Sequence, residues 1–69
     1  MYKTDGEALK GKIAEKGYTF QKVADYLSID RATFYRRLQN NSLKIRDVQK
    51  IVELLSLTGE EASNIFLAS

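Results

Sequence analysis

The sequence contains no cysteine, histidine, tryptophan or proline, and only four glycines. Without cysteine and histidine the chain has no disulfide framework, no thiol nucleophile, no imidazole base and no zinc site of the usual ligands. The carboxylates fall at predicted helix starts or on polar helix faces, where helix capping and solubility explain them. We therefore expect no metal, no cofactor and no enzyme activity.

The chain is too short for two domains, and it contains no long apolar run. Its 69 residues allow one small domain, because a chain of this size buries only about 60% of its unfolded surface on folding. No run approaches the ~20 apolar residues that cross a bilayer, and residues 1–5 lead into polar sequence instead of a signal-peptide core. We expect a single domain over residues 1–69 that is soluble, cytoplasmic and not attached to a membrane.

The excess of positive over negative charge is small for the whole chain, but it is concentrated in one segment. Eleven basic residues face nine acidic ones, which gives a net charge of +2. Residues 19–46 hold six of the basic residues and only two of the acidic ones, whereas the rest of the chain is mildly acidic. This asymmetry predicts a cationic face formed by the middle of the chain.

Hydrophobic periodicity predicts five helices and no strands. Apolar residues recur at helical spacing, while strict alternation and Asn-Gly or Asp-Gly hairpin signals are missing. The predicted helices cover about residues 5–16, 19–27, 30–39, 46–56 and 59–67. The predicted core consists of Leu9, Ile13, Val23, Leu27, Ile29, Phe34, Leu38, Val48, Ile51, Val52 and Leu55. Short connections between these helices indicate a compact all-α domain.

Capping signals precede four of the five helices. The expected N-cap residues are Thr4, Thr19, Asp30 and Thr58. Thr4 with Glu7 and Thr58 with Glu61 each fit the S/T-x-x-E capping box. The fourth helix has no obvious cap, and Gly17 is placed to end the first helix in a left-handed conformation.

The second and third helices are short and joined by a tight turn, which is typical of a helix-turn-helix. In this motif a small residue lies where the helices approach, and Ala24 fits that position. Ile29 fits as the apolar residue of the turn, and Phe34 fits as the inward anchor of the second helix of the motif.

Residues 19–38 resemble the helix-turn-helix of the phage repressor and Cro family, also called XRE-type. Residues 45–57 are similar to that family's fourth helix and closing apolar segment, so the resemblance covers about residues 7–67. It implies a five-helix, lambda repressor-like DNA-binding domain that regulates transcription in bacteria, phages or mobile elements. Two positions depart from the family pattern. Ser28 stands where the turn often has Gly, and Phe20 follows the cap where Gln is common, with Gln21 displaced by one.

Because Phe34 and Leu38 are expected to point inward, the other residues at the start and centre of the third helix point outward. The resemblance implies that these residues contact base edges in the major groove. The candidate base contacts are Arg31, Ala32, Thr33, Tyr35 and Arg36. The arginines suit bidentate bonds to guanine, and the others suit thymine methyl groups or phosphates. The alternatives are solvated arginines, helix filler at Ala32 and Thr33, and a shield over the core at Tyr35.

The ends of the motif are expected to hold the DNA backbone. The candidate residues are Thr19, Gln21, Lys22, Arg37, Asn40, Ser42 and Lys44. Arg37 has an alternative structural role as an ion-pair partner of Asp25 or Asp30.

A terminal apolar group consists of Leu57, Ile65, Phe66 and Leu67. It either completes the small core or forms a self-complementary patch for a homodimer. The function expected from the whole pattern is a sequence-specific, repressor-like regulator that binds double-stranded DNA. The alternative is a protein-interaction module in which Arg31, Tyr35 and Arg36 dock an acidic partner on the same scaffold.

Overall fold

In a computed structural model, which describes residues 3–66, five helices follow one another with short connections. They are α1 (Gly6–Glu15), α2 (Phe20–Tyr26), α3 (Arg31–Gln39), α4 (Ile45–Leu55) and α5 (Gly59–Phe66). Residues 3–66 contain no β-strand, so the all-α, five-helix prediction is confirmed for this part of the chain. None of the helices described has both the length and the apolar character needed to cross a membrane.

The start of α1 differs from the prediction. Thr4 is buried, and its backbone N–H donates to Oδ1 of Asn41 at 2.9 Å. The carboxylate of Asp5 caps the helix instead, because it accepts from the N–H of Ala8 at 3.1 Å. The capping box of Thr4 with Glu7 is therefore wrong: a long-range contact holds Thr4 against the loop after α3.

The starts of α2 and α3 are capped as predicted. The hydroxyl of Thr19 accepts from the N–H of Lys22 at 3.0 Å, and the carboxylate of Asp30 accepts from the N–H of Thr33 at 2.9 Å. Each cap satisfies a backbone donor that has no partner within the helix. Both caps set where the two short helices begin.

The starts of α4 and α5 both use a carboxylate in the first turn. Asp47 accepts from the N–H of Lys44 at 3.3 Å, so α4 begins at Ile45, one residue earlier than predicted. Thr58 and Glu61 form the predicted capping box, with the N–H of Thr58 donating to Glu61 at 2.9 Å and the N–H of Glu61 donating to Thr58 at 3.1 Å.

Four helices are followed by a residue in the left-handed conformation. Gly17 has φ +84° after α1, as predicted, while Ser28 (60°), Asn41 (53°) and Ser56 (52°) follow the next three helices. After α2, the N–H of Ile29 donates to the carbonyl of Ala24 at 3.1 Å, as in a Schellman motif. In the left-handed conformation a residue with a side chain, such as Ser28, has a conformational energy cost that glycine avoids.

The core is formed by residues from all five helices and from two connections. The buried apolar residues are Leu9, Ile13, Val23, Ala24, Leu27, Phe34, Leu38, Ile51, Leu55, Leu57, Ile65 and Phe66. Three residues predicted for the core, Ile29, Val48 and Val52, are only partly buried and pack against it. Helix α2 contacts α1, α3 and α4, and α1 also packs on α5.

The terminal apolar group completes this core. Leu57 is 8% exposed, Ile65 is 2% exposed and Phe66 is 3% exposed. Leu67, the fourth member of the group, lies outside the described residues. Of the two alternatives for this group, the structure shows burial in the core for its first three members. These three side chains are therefore not at the surface, where a dimer patch would need them.

Candidate nucleic-acid interface

Helices α2 and α3 are joined by residues 27–30, and a small and a large buried residue fix how they meet. Ala24 on α2 and Phe34 on α3 are both 0% exposed. Phe34 also stacks on Phe20 in the first turn of α2, with ring centroids 4.4 Å apart and 18° between the ring planes. These contacts hold one side of α3 against the core, so its opposite side is presented to solvent.

The solvent side of α3 carries most of the predicted base-contacting residues. We call this surface the α3 outer face, and its exposed members are Arg31, Ala32, Tyr35, Arg36 and Gln39. They lie together because positions i, i+1, i+4, i+5 and i+8 cluster on one side of a helix. Gln39 was not predicted as a site residue, although the same periodicity places it there.

Thr33, the remaining candidate for base contact, does not lie on the α3 outer face. It is half-buried, and its backbone N–H is engaged by the Asp30 cap. A hydrogen bond from the Thr33 side chain and a second from its backbone N–H hold the pKa of Asp30 below its ordinary value of 3.8. Asp30 is therefore anionic at neutral pH, and its charge lies beside the otherwise cationic start of α3.

The two arginines of the α3 outer face make no direct salt bridge in the part of the chain described, although the charge of Arg36 also helps to lower the pKa of Asp30. No carboxylate of residues 3–66 forms an ion pair with Arg31 or Arg36. Their guanidinium groups are exposed and each offers five donors in a planar fork. This arrangement suits bidentate recognition of a guanine base or a phosphate.

A lysine from α1 extends the cationic surface. The Nζ atom of Lys10 lies 5.1 Å from the centroid of the Tyr35 ring, within the range of a cation–π contact. Tyr35 is 47% exposed, so its ring is shared between Lys10 and solvent. Lys10 was missed in the sequence because the two residues are far apart along the chain and no local pattern connects α1 to α3.

Arg37 forms an ion pair, but with a residue that the sequence did not indicate. Its Nη1 atom lies 3.3 Å from Oδ2 of Asp47, and the Asp47 carboxylate is largely buried. Asp25 and Asp30, the expected partners, are not paired with it. The pair connects the last turn of α3 to the first turn of α4, which favours a structural role over a phosphate contact.

The start of α2 presents three of the predicted backbone-contacting residues, and all are exposed. Thr19 is the N-cap, so its hydroxyl is engaged within the helix. Gln21 donates through Nε2 to Oδ1 of Asp25 at 2.9 Å. Lys22 makes no ion pair with a residue in the range 3–66, and its charge is thus available beside the positive end of the helix.

The loop after α3 presents the other predicted backbone-contacting residues. Asn40, Ser42 and Lys44 are exposed there. Ile45 and Arg46 follow, and Ile45 is 63% exposed, the highest value among the large apolar residues described. Two cations and an exposed apolar side chain therefore stand at the start of α4.

No group of carboxylates within residues 3–66 is arranged to hold a metal ion. Comparisons with known proteins do not assign a family to the chain: no family model, no curated protein and no solved structure matches it. What the protein does is therefore inferred from its own residues.

Proposed function

We propose that the protein binds double-stranded DNA sequence-specifically, with α2 and α3 as a helix-turn-helix and α3 in the major groove. The observation that carries this proposal is the α3 outer face, where Arg31 and Arg36 are exposed and form no ion pair with the carboxylates of residues 3–66. An α-helix fits the width of the major groove, and arginine is the commonest side chain that reads guanine there.

Each member of the α3 outer face has a role in this proposal. Arg31 and Arg36 donate to O6 and N7 of guanine, and Gln39 has the amide that suits adenine. Ala32 offers its methyl group to thymine. Tyr35 packs on a thymine methyl or donates to a phosphate, with Lys10 adding charge beside it.

The positions flanking α3 hold the DNA backbone in this proposal. Lys22 at the start of α2 and Lys44 before α4 supply charge to phosphates on two sides of the recognition helix. Thr19, Asn40 and Ser42 supply polar groups at the same two places. These contacts set register and affinity without sequence information.

The resemblance of residues 19–38 to the phage repressor and Cro family supports a role as a repressor-like transcriptional regulator. A homodimer on a palindromic site would place its two α3 helices about 10–10.5 base pairs apart, or a multiple of that spacing. Because Leu57, Ile65 and Phe66 are buried, we propose that such a dimer uses other surfaces.

The test is titration of a fluorescent duplex at several salt concentrations, with fluorescence anisotropy as the readout. The association constant should fall steeply as salt rises, because each neutralised phosphate contributes a slope of about −0.9 in log K against log salt. Lys44→Ala should make the slope shallower by about one phosphate and weaken all duplexes alike. Lack of duplex binding at low salt, or binding that is independent of salt, would contradict the proposal.

The alternative function, a protein-interaction module, has one observation in its favour. An apolar groove lies between α1 and the start of α3, and its lining includes Arg31, Ala32 and Tyr35 of the α3 outer face. A module of this kind would bind its partner and show no salt-dependent duplex binding, so the same titration separates the two functions.

A further inference from the structure

A groove of about 710 Å³ runs between α1, the start of α2 and the first half of α3, and we call it the α1–α3 groove. Its apolar floor contains the side chains of Ile13 and Phe20, with the methyl groups of Ala14 and Ala32 beside them. The two alanines are exposed and Phe20 is half-buried, so an occupant would contact these three residues more than the almost fully buried Ile13.

The floor of the α1–α3 groove is preformed. Ile13 is 3% exposed and belongs to the core, while Phe20 is stacked on the fully buried Phe34. A surface held by core contacts need not be ordered when a partner binds, which removes part of the entropic cost of binding.

The rim of the α1–α3 groove is cationic. Lys10 lines it from α1, Arg31 and Tyr35 line it from α3, and no carboxylate from residues 3–66 belongs to the lining. An occupant that complements this surface has apolar side chains for the floor and negative charges for the rim. An amphipathic helix with flanking Asp or Glu residues offers both, because apolar anchors at i, i+3, i+4 and i+7 share one face.

We infer that the α1–α3 groove binds an acidic amphipathic helix of a partner protein. Nucleic acid supplies negative charge for the rim and a thymine methyl group for the exposed Ala32, but it has no large apolar side chain to cover Ile13 and Phe20. Arg31, Ala32 and Tyr35 belong to both the groove and the α3 outer face. The partner and duplex DNA therefore exclude each other; this exclusion rests on the proposed DNA binding, whereas the docking itself does not.

The test begins with a display library of random peptides of about 16 residues, selected on the intact chain in the absence of DNA. The enriched peptides should be acidic and amphipathic. A synthetic copy of the most enriched peptide, titrated into ¹⁵N-labelled protein, should shift the amide signals of Lys10, Ala14, Phe20 and Ala32. It should also displace a bound fluorescent duplex.

Ala14→Gln is the discriminating variant, because it places a polar chain over the floor and keeps a good helix former on α1. It should weaken the peptide about tenfold or more while leaving duplex affinity within about twofold. Ser63→Gln, an exposed change on α5, is the matched control and should alter neither. Thermal unfolding of both variants shows whether they remain folded.

Four outcomes would overturn the docking proposal. The first three are enrichment of peptides that lack the acidic amphipathic pattern, equal binding of the peptide to Ala14→Gln, and failure to enrich any peptide above background. Concentration-dependent shifts of the same amides without peptide would show that a second copy of the chain fills the groove, which also overturns it. Peptide binding without duplex binding would retain the docking and contradict the proposed DNA function alone.

Discussion

The ammonium nitrogen of Lys10 on α1 lies 5.1 Å from the centroid of the Tyr35 ring on α3. A contact of this kind at an exposed site contributes about 0.5–1 kcal/mol. It also brings a positive charge from α1 to the α3 outer face, beside those of Arg31 and Arg36. In our account Lys10 therefore supports duplex binding although α1 does not enter the groove of the DNA.

The first prediction concerns this lysine. Lys10→Gln should reduce affinity for all duplexes and make the salt dependence shallower by up to about one phosphate, because a charge beside the DNA backbone is lost. Anisotropy titrations at several salt concentrations measure both effects. Lys50→Gln removes the same charge from α4 and should have the smaller effect. Equal effects of the two substitutions would show that Lys10 acts only through net charge.

The second prediction concerns the turn between α2 and α3. Ser28 has φ 60°, a conformation that glycine adopts without steric cost. Ser28→Gly should therefore raise the free energy of unfolding by up to about 1 kcal/mol, measured by urea denaturation. Ser63→Gly, in the interior of α5, should lower it by up to about 0.5 kcal/mol, because glycine is a poorer helix former than serine. Destabilisation by Ser28→Gly would mean that the serine side chain makes a contribution that its backbone conformation does not indicate.

The sequence was sufficient to predict the five helices, because each has its own periodic apolar stripe and most have a local cap. The caps at Thr19, Asp30 and Thr58 were predictable since they depend on neighbours within three residues. The error at Thr4 has the opposite origin. Its contact with Asn41 joins residues 37 positions apart, and no local pattern carries that information.

The candidate site divides in the same way. The α3 outer face followed from helical periodicity, so most of its members could be predicted. Lys10 beside Tyr35 could not be, and neither could the partner of Arg37, because both depend on how helices pack. The sequence suggested Asp25 or Asp30 for Arg37, but the tertiary fold brings it to Asp47 instead.

The third prediction tests the pair of Arg37 and Asp47. Arg37→Met should lower the free energy of unfolding by about 1–3 kcal/mol, because the largely buried carboxylate loses a charged hydrogen bond. The same substitution in an Asp47→Asn background should cost clearly less, which a double-mutant cycle measures by urea denaturation. Identical costs in the two backgrounds would contradict a structural role for the pair.

The fourth prediction concerns acid stability. Glu61 on α5 accepts from Lys12 on α1 at 2.7 Å and from the N–H of Thr58, and these bonds lower the pKa of Glu61 from 4.5 to about 2. A carboxylate with a lowered pKa stabilises the fold above its unfolded-state pKa, and this contribution is lost as the pH falls. Stability should therefore decline between about pH 4.5 and pH 2 as Glu61 becomes protonated.

Glu61→Gln removes the titrating group and should flatten this part of the pH profile, measured as the thermal midpoint against pH. Glu60→Gln is the matched control, since Glu60 is exposed on the same turn and forms no ion pair with residues 3–66. An unchanged decline in the Glu61→Gln variant would show that other carboxylates set the acid limit.

The central claim is that the α3 outer face reads the sequence of duplex DNA. The most direct measurement is selection of bound duplexes from a randomised pool at roughly physiological salt, followed by sequencing, for the wild type and for Arg36→Ala. Our account predicts an enriched motif for the wild type and a loss of preference at particular base positions for Arg36→Ala. Recovery of no motif by the wild type, or the same motif with equal preference at every position for both proteins, would contradict it.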